Sequence, residues 1–214
     1  MKQLYPYSYI VIEGNIGAGK TSLAKILANK YNTDLVLEQF ADNTFLSQFY
    51  EQPERFAFPL EMSFLAERYR QIKRHQAEAQ KNNTVLISDY LFEKSVLFAK
   101  VTLSGAELEL FNTFYELINP TLHKPDLILY LHKKTETLLS NIKKRGRSFE
   151  KEIPADYLDK ISASYLSHLQ SIKNQKVIIL ESDEIDFVNN PSHLRIILDL
   201  LLVDHPLKVQ NISI

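Results

Sequence analysis

Short apolar runs alternate along the chain with longer segments in which apolar residues recur at helical spacing. The runs predict five strands, at residues 8–13, 34–38, 84–89, 126–131 and 176–180. The other segments predict helices, at residues 22–31, 60–80, 92–102, 107–118, 157–172 and 193–203. Strands that are apolar throughout and alternate with helices are typical of a parallel sheet covered on both faces. We therefore predict an α/β sandwich built on a five-stranded parallel sheet.

Prolines separate several of these elements, and no change of composition marks a second unit. We expect the prolines at positions 53, 59, 120, 125 and 154 to lie in loops, since none falls in a predicted strand. The chain contains no internal repeat, low-complexity segment or linker that would separate two cores. We therefore expect one domain, spanning residues 1–214.

A glycine-rich loop follows the first predicted strand and precedes the first predicted helix. Residues 14–21 fit the pattern G-x-x-x-x-G-K-[ST] at every position. Glycine lets backbone N–H groups approach a phosphate closely, and the helix N-terminus adds positive potential. We expect Lys20 to reach the β- and γ-phosphates of ATP and the hydroxyl of Thr21 to bind Mg²⁺. The candidate nucleotide-binding residues are Gly14, Asn15, Ile16, Gly17, Ala18, Gly19, Lys20, Thr21 and Ser22.

A second basic motif lies further along the chain, after a helical segment. Arg145 and Arg147 flank Gly146, and Glu150 follows. Two arginines around a glycine can close over a transferring phosphoryl group and neutralise its charge. We place this lid at residues 143–154. A phosphate loop combined with an arginine lid favours a kinase among the many classes of P-loop protein.

Charge and composition narrow the setting. Lysine and arginine total 25 against 26 for aspartate and glutamate, which leaves a net charge of -1. A protein whose main partner is nucleic acid is usually basic, so we expect no such partner. No apolar run approaches the roughly 20 residues of a membrane span, and the N-terminal residues hold no stretch of signal-peptide length. The chain also lacks cysteine, so we expect a cytoplasmic protein that does not bind membranes.

Over nearly its whole length the sequence resembles the deoxyribonucleoside kinase family. The segments that carry the resemblance are GNIGAGKTS, LVLEQF, YEQPERFAFPLEMSFLAER, RGRSFEKEIPADYL and VIILESDEIDF. The resemblance implies a P-loop NTPase fold, ATP and Mg²⁺ as cofactors, and phosphorylation of a deoxynucleoside at its 5′-hydroxyl in nucleotide salvage. It also implies a homodimer, which we place at the helices over residues 60–80 and 107–118.

The resemblance assigns residues to the deoxynucleoside. Glu38 matches the general base for the sugar 5′-hydroxyl. Tyr50 and Glu150 match the pair that holds the 3′-hydroxyl. Glu61 falls where the family usually has the glutamine that reads the base edge, and Arg68 matches the arginine beside it.

Further positions are assigned to ATP and its metal. Asp89 matches the acidic residue that serves Mg²⁺ together with the phosphate-loop threonine. Arg145 and Arg147 match the lid arginines, which act on the transferring group. The loop around Asp186 and Phe187 resembles the one that packs on the base of ATP.

The chain departs from the family pattern directly after Asp89. Tyr90-Leu91 stands where the family has Arg-Ser, so an arginine that faces the phosphates is missing. Lys94, about one helical turn later, is the candidate to replace it.

The other departure is glutamate for glutamine at position 61. An ionised carboxylate only accepts hydrogen bonds, and guanine offers two adjacent donors, N1–H and N2–H₂. Adenine and cytosine pair one donor with an acceptor, which suits glutamine better. We therefore expect a purine deoxynucleoside kinase that leans to deoxyguanosine, with Arg68 keeping Glu61 ionised.

Two alternatives stay open at this point. A nucleoside monophosphate kinase, such as one acting on thymidylate, needs extra cations for the acceptor phosphate, and Tyr90 supplies none. A regulatory nucleotide-binding module with degraded catalysis is favoured only by the missing arginine, while Lys20, Thr21 and Glu38 are intact.

Overall fold

The computed structural model describes residues 6–39, 43–147, 150 and 153–213. The strands within these ranges are Tyr9–Gly14 (β1), Asp34–Val36 (β2), Leu86–Ser88 (β3), Leu127–His132 (β4), Lys176–Glu181 (β5) and Val209–Ile212 (β6). The α-helices are Lys20–Tyr31 (α1), Leu46–Glu51 (α2), Pro53–Asn82 (α3), Lys94–Thr102 (α4), Gly105–Ile118 (α5), Thr135–Arg145 (α6), Ala155–Ser171 (α7) and Pro191–Leu201 (α8). None of these helices is long and apolar enough to cross a membrane.

The strands pair in parallel in the order β2-β3-β1-β4-β5-β6. Strand β1 lies inside the sheet, so the glycine-rich loop that follows it leaves from an interior position of the carboxyl edge. The chain adds β2 and β3 on one side of β1 and then crosses to the other side for β4. Such a reversal of strand order opens a crevice at the carboxyl ends, where α/β proteins bind ligands.

Alternate residues of each interior strand enter two separate cores. Tyr9 and Val11 of β1 pack with helices α3, α4, α5 and α7 on one face of the sheet. Ile10 and Ile12 pack with helices α1, α6 and α8 on the other face. Burial of both faces is why these strands are apolar at every position. The predicted three-layer α/β sandwich is confirmed.

The predicted number of strands is wrong, because β6 adds a sixth. Its sequence, Val-Gln-Asn-Ile, is short and half polar, so it has no continuous apolar run. It pairs with β5 at the end of the strand order, where Val177 faces Val209. An edge strand packs fewer side chains than a central one, so its apolar signal is weak.

The prediction that Pro53 and Pro59 lie in loops is also wrong. Pro53 occupies the first turn of α3, where its missing N–H costs nothing. Pro59 lies inside the same helix, where a proline removes one backbone hydrogen bond. Its neighbours Ala57 and Leu60 are buried in the core, which offsets that cost. Helix α3 therefore begins seven residues before the predicted start at Leu60.

Candidate active site

The glycine-rich loop joins β1 to α1, and hydrogen bonds from Asn15 attach it to α7. Asn15 donates through Nδ2 to the carbonyl of Leu158 (2.8 Å) and to Oγ of Ser162 (2.7 Å). Gly17 and Gly19 have φ angles of 85° and 97°, in the left-handed region that favours glycine. A Cβ at Gly17 would lie 2.8 Å from a backbone oxygen of α6, so no side chain fits there.

Lys20 points back over this loop. Its Nζ donates to the carbonyl oxygen of Asn15 at 2.9 Å. Burial, reinforced by the nearby ammonium of Lys94, lowers the pKa of Lys20 to about 8. A phosphate would both replace the carbonyl as acceptor and favour the charged form of the lysine.

Asp89 connects the phosphate loop to the end of β2. Its Oδ2 accepts from Oγ1 of Thr21 at 2.5 Å, and its Oδ1 accepts from the backbone N–H of Glu38 at 2.8 Å. Burial raises the pKa of Asp89, and the hydrogen bond from Thr21 opposes that rise. Thr21 and Asp89, which the sequence analysis assigns to the same metal ion, are therefore in direct contact.

The side-chain oxygens of Thr21 and Asp89 are suitable ligands for Mg²⁺. Mg²⁺ prefers oxygen ligands and is commonly held by one or two carboxylates together with substrate phosphates and water. Thr21 offers a hydroxyl and Asp89 a carboxylate, beside the loop expected to hold phosphates. Within the described ranges no cluster of three or more acidic or histidine side chains forms a metal cage. Mg²⁺ held at Thr21 and Asp89 would take its remaining ligands from phosphate oxygens and water.

Glu38 lies two residues beyond β2, between two buried cations. Nε and Nη2 of Arg68 donate to its Oε1 at 2.9 Å and 2.6 Å, and Nζ of Lys94 donates to its Oε2 at 2.6 Å. Burial alone would raise the pKa of Glu38. The ammonium of Lys94 and the guanidinium of Arg68 outweigh it and hold that pKa well below its usual range. Glu38 is therefore an ionised carboxylate in a fixed orientation.

Glu61 lies deeper in the same cavity, and no cation among the described residues forms an ion pair with it. Its Oε1 lies 2.9 Å from Oγ1 of Thr102, whose hydroxyl also lies 3.0 Å from the carbonyl of Phe98. Burial raises the pKa of Glu61 to about 7, although the charge of Arg68 and the contact with Thr102 oppose the rise. Arg68 donates its hydrogen bonds to Glu38 and Ser95 and not to Glu61, so it favours the ionised form of Glu61 through its charge alone.

The contact with Thr102 can be satisfied in two ways. A threonine hydroxyl carries one proton and cannot donate fully to two acceptors. When Glu61 is protonated, its O–H can donate to Thr102 while Thr102 donates to Phe98, so both contacts become full hydrogen bonds. This geometry accommodates the neutral acid as well as the carboxylate.

Aromatic and aliphatic side chains form the rest of this acceptor cavity, the space in front of Glu38 and Glu61. Its apolar lining consists of Ile16, Leu46, Phe49, Leu60, Phe64, Phe98 and Tyr157. Sequence reasoning missed Phe64, although it lies on the same helical face as Glu61 and Arg68, three and four residues away. The guanidinium of Arg68 lies 4.7 Å from the centre of the Phe64 ring. Tyr157 was also missed, because no local sequence pattern predicts that it lines the cavity.

The lid residues close the cavity from the other side. Glu150 accepts from Nη2 of Arg145 at 2.5 Å and from Nη1 of Arg147 at 3.1 Å. Gly146, with φ 72°, ends α6 in the left-handed conformation typical of a helix C-terminus. Tyr50 lines the same cavity, and burial, followed by the charge of Glu150, raises its pKa. Lid positions 148, 149, 151 and 152 lie outside the described residues.

The loop after β5 meets the phosphate loop from the opposite side. Asp186 accepts from the backbone N–H groups of Val188 (3.1 Å) and Asn189 (3.0 Å), so it shapes this loop. The Phe187 ring is buried and would lie 3.0 Å from a Cβ at Gly19. Val188, which the sequence did not single out, is 60% exposed and lines the same space.

Two cavities therefore share part of their lining at the phosphate loop and the lid. The acceptor cavity is described above, and a donor cavity is lined by the phosphate loop and residues 183–189. Both cavities share Lys20, Thr21, Arg145 and Arg147. A catalyst that moves an anionic group between two ligands needs cations at such a junction.

Position 90 brings no charge to this junction. The Tyr90 side chain is fully buried, and its hydroxyl donates to Oε1 of Gln71 at 3.0 Å. Lys94 instead lines the acceptor cavity.

Residues 10–201 match the sequence model of the deoxynucleoside kinase family, and the chain belongs to that family. It is a nucleotide-binding phosphotransferase.

The relatives of this chain include both deoxyguanosine kinases and deoxyadenosine kinases. The deoxyguanosine kinase of Bacillus subtilis (strain 168) is 38% identical over 188 residues, which cover 86% of this chain and 91% of that protein. The deoxyadenosine kinase of Lactobacillus acidophilus is 34% identical over 196 residues, covering 85% and 88%. The structure of a deoxyadenosine kinase from M. mycoides, with dCMP and dCDP bound, matches with a TM-score of 0.77 at 25% identity, covering 90% of this chain and 98% of that one.

Proposed function

We propose that the protein transfers the γ-phosphoryl group of ATP to the 5′-hydroxyl of a purine deoxynucleoside, preferentially deoxyguanosine, in nucleotide salvage. The observation that carries this proposal is the junction of two cavities at Lys20, Arg145 and Arg147, with the carboxylate of Glu38 on the acceptor side. The family membership of the chain supports a nucleoside acceptor over the monophosphate acceptor considered from the sequence.

Glu38 serves the acceptor hydroxyl. The 5′-oxygen forms a bond to the γ-phosphorus, the bond from that phosphorus to the β,γ-bridging oxygen breaks, and ADP leaves. The 5′-hydroxyl proton passes to Glu38, whose low pKa means that it takes the proton late, when the new P–O bond is largely formed. Before that point the carboxylate orients the hydroxyl, which is the larger requirement in a loose phosphoryl transfer.

The donor side is held by the phosphate loop and lid. Lys20 and the lid arginines neutralise charge on the transferring group. Arg145 and Arg147 now contact Glu150, so a phosphoryl group would compete with that carboxylate for them. Thr21 and Asp89 would hold Mg²⁺, which supplies further neutralisation when bound. Asp186 and Phe187 support the side of the cavity that receives the base of ATP.

Specificity comes from the inner end of the acceptor cavity. Ionised Glu61 accepts both N1–H and N2–H₂ of guanine, and such charge-assisted hydrogen bonds are stronger than neutral ones. Tyr50 and Glu150 hold the 3′-hydroxyl and leave little room for a 2′-hydroxyl, which favours deoxynucleosides. Phe64 and Phe98 line the space in which the base would lie.

We also propose a homodimer through α5 and α3. Leu110, Phe114 and Leu117 lie on one face of α5 at helical spacing and are 47%, 43% and 72% exposed. Light scattering on the full chain, compared with Leu117→Glu, tests this assembly.

An ADP-release assay over the four natural deoxynucleosides, the matching ribonucleosides and thymidine monophosphate tests the activity. We expect the highest kcat/KM with deoxyguanosine and loss of turnover in Lys20→Ala. Lys25→Ala, on the exposed side of the same helix, is the matched control. Turnover of thymidine monophosphate without turnover of any deoxynucleoside contradicts the proposal.

A further inference from the structure

The ammonium of Lys94 is unusual among the buried cations of the acceptor cavity. Lys94 is 5% exposed, and its hydrogen bond within the described part of the chain goes to Oε2 of Glu38. An ammonium carries three N–H donors, so two are left over. One side of the group lies 5.2 Å from the centre of the Phe98 ring, and the group lines the acceptor cavity.

Arg68 shows what a purely structural partner of Glu38 looks like. Two of its nitrogens donate to Glu38 and a third donates to Ser95, so the guanidinium is occupied on three sides. Arg68 already neutralises Glu38. Lys94 adds a second positive charge to the same carboxylate, from the side that faces the acceptor cavity.

The local backbone gives no other reason for a lysine here. Lys94 is the first residue of α4, and a cation at a helix N-terminus opposes the helix dipole. The charge of Lys94 also opposes the burial of the neighbouring carboxylate of Glu13, but the oxygens of Glu13 accept their hydrogen bonds from the backbone N–H groups of Gly14 and Leu91 and leave the donors of Lys94 unused. A buried, unfavourably placed charge with spare donors points to an anionic ligand.

We propose that Lys94 is a catalytic residue that donates to the transferring phosphoryl group while it holds Glu38 against the 5′-hydroxyl. This inference rests on the proposed kinase function. In that reaction negative charge spreads over the equatorial oxygens of the transferring group, and the cation of Lys94 lies on the acceptor side of that group. It would act opposite Lys20, whose pKa it already lowers through its charge.

The test is the pair Lys94→Met and Lys100→Met, two substitutions on the same helix, with Lys100 exposed. We expect Lys94→Met to lower kcat for deoxyguanosine by about 10²–10³-fold, with a smaller change in KM and unchanged ATP binding. Lys100→Met should behave as wild type.

The outcomes separate the two proposals. A wild-type enzyme that phosphorylates no deoxynucleoside refutes both the function and the role of Lys94. An active wild type with Lys94→Met within about threefold of its kcat refutes the role of Lys94 alone. If Lys94→Met no longer binds ATP, Lys94→Ala with added ethylammonium decides. A gain in kcat of about tenfold or more supports the proposal, and a smaller gain overturns it.

Discussion

Glu38 and Glu61 are two buried glutamates in one cavity, and their pKa values shift in opposite directions. Glu38 lies at the outer end between Arg68 and Lys94, and its pKa falls. Glu61 lies at the inner end against a hydroxyl, and its pKa rises to about 7. Burial pushes both in the same direction, so the hydrogen-bonding partners decide the difference.

This difference in pKa suits the two glutamates to different roles in the site. A fixed carboxylate suits a hydroxyl that must be oriented in every turnover. A carboxyl group that titrates near neutrality presents either two acceptors or one donor and one acceptor, so it can match more than one base. Four measurements test this difference between the two glutamates, and the expected effects decrease from the first to the last.

Removing the charge of Glu38 should have the largest effect. We expect Glu38→Gln to lower kcat by about 10²–10⁴-fold, because the amide orients the hydroxyl poorly and cannot take its proton. ATP binding should be unchanged when measured by calorimetry. Glu54→Gln, an exposed position on α3, is the control. An unchanged kcat would remove Glu38 from the reaction.

The lid arginine should come next. We expect Arg147→Ala to lower kcat by about 10²–10³-fold and to weaken deoxynucleoside binding less, since its charge matters most as negative charge develops. Steady-state kinetics together with direct binding measurements separate the two quantities. Lys143→Ala, an exposed neighbour at the end of α6, should leave both nearly unaffected. Weaker binding with an intact kcat would argue against the role.

A neutral amide at position 61 should alter the ranking of bases. We expect Glu61→Gln to move preference from deoxyguanosine toward deoxyadenosine or deoxycytidine by about 1–3 kcal/mol, because buried donors of guanine lose an acceptor. The ratio of kcat/KM values for these nucleosides measures the shift. The same ranking in wild type and variant would show that another group reads the base.

The pH dependence of base preference should be the smallest effect. Glu61, with a pKa of about 7, is protonated below neutrality and ionised above it. We expect the kcat/KM ratio of deoxyguanosine to deoxyadenosine to rise about tenfold between pH 6 and pH 8, as the carboxylate replaces the acid. Glu61→Gln, which does not titrate, should give a flat ratio. A flat ratio in the wild type would mean that Glu61 keeps one protonation state.

The contrast also shows what the sequence can reveal. The phosphate loop is contiguous, and its glycines, lysine and threonine act through local backbone geometry, so residues 14–21 identify it directly. Asp89 follows a short apolar strand and Glu38 follows another shortly after its end, which places both near the carboxyl edge of a parallel sheet. Each of these features can be predicted from a single strand, helix or loop of the sequence.

The partners of the two glutamates depend on several elements at once. Glu61 and Arg68 are seven residues apart on one helical face, so spacing alone suggests that they pair. The arginine instead reaches across to the end of β2, and Thr102 from α4 meets Glu61. Which of two carboxylates an arginine chooses is set by tertiary packing, which no local pattern encodes. Sequence spacing therefore does not reveal that the hydrogen bonds of Arg68 go to Glu38.

In the proposed reaction, Asp89 would couple the binding of the two substrates. One oxygen of this carboxylate holds the hydroxyl of Thr21 in the donor cavity, and the other holds the backbone N–H of Glu38 in the acceptor cavity. A nucleotide that redirects Thr21 changes the demand on Asp89 and, through it, the position of Glu38. A coupling free energy between sites is reciprocal, so a deoxynucleoside that settles Glu38 must alter the affinity for nucleotide by the same factor.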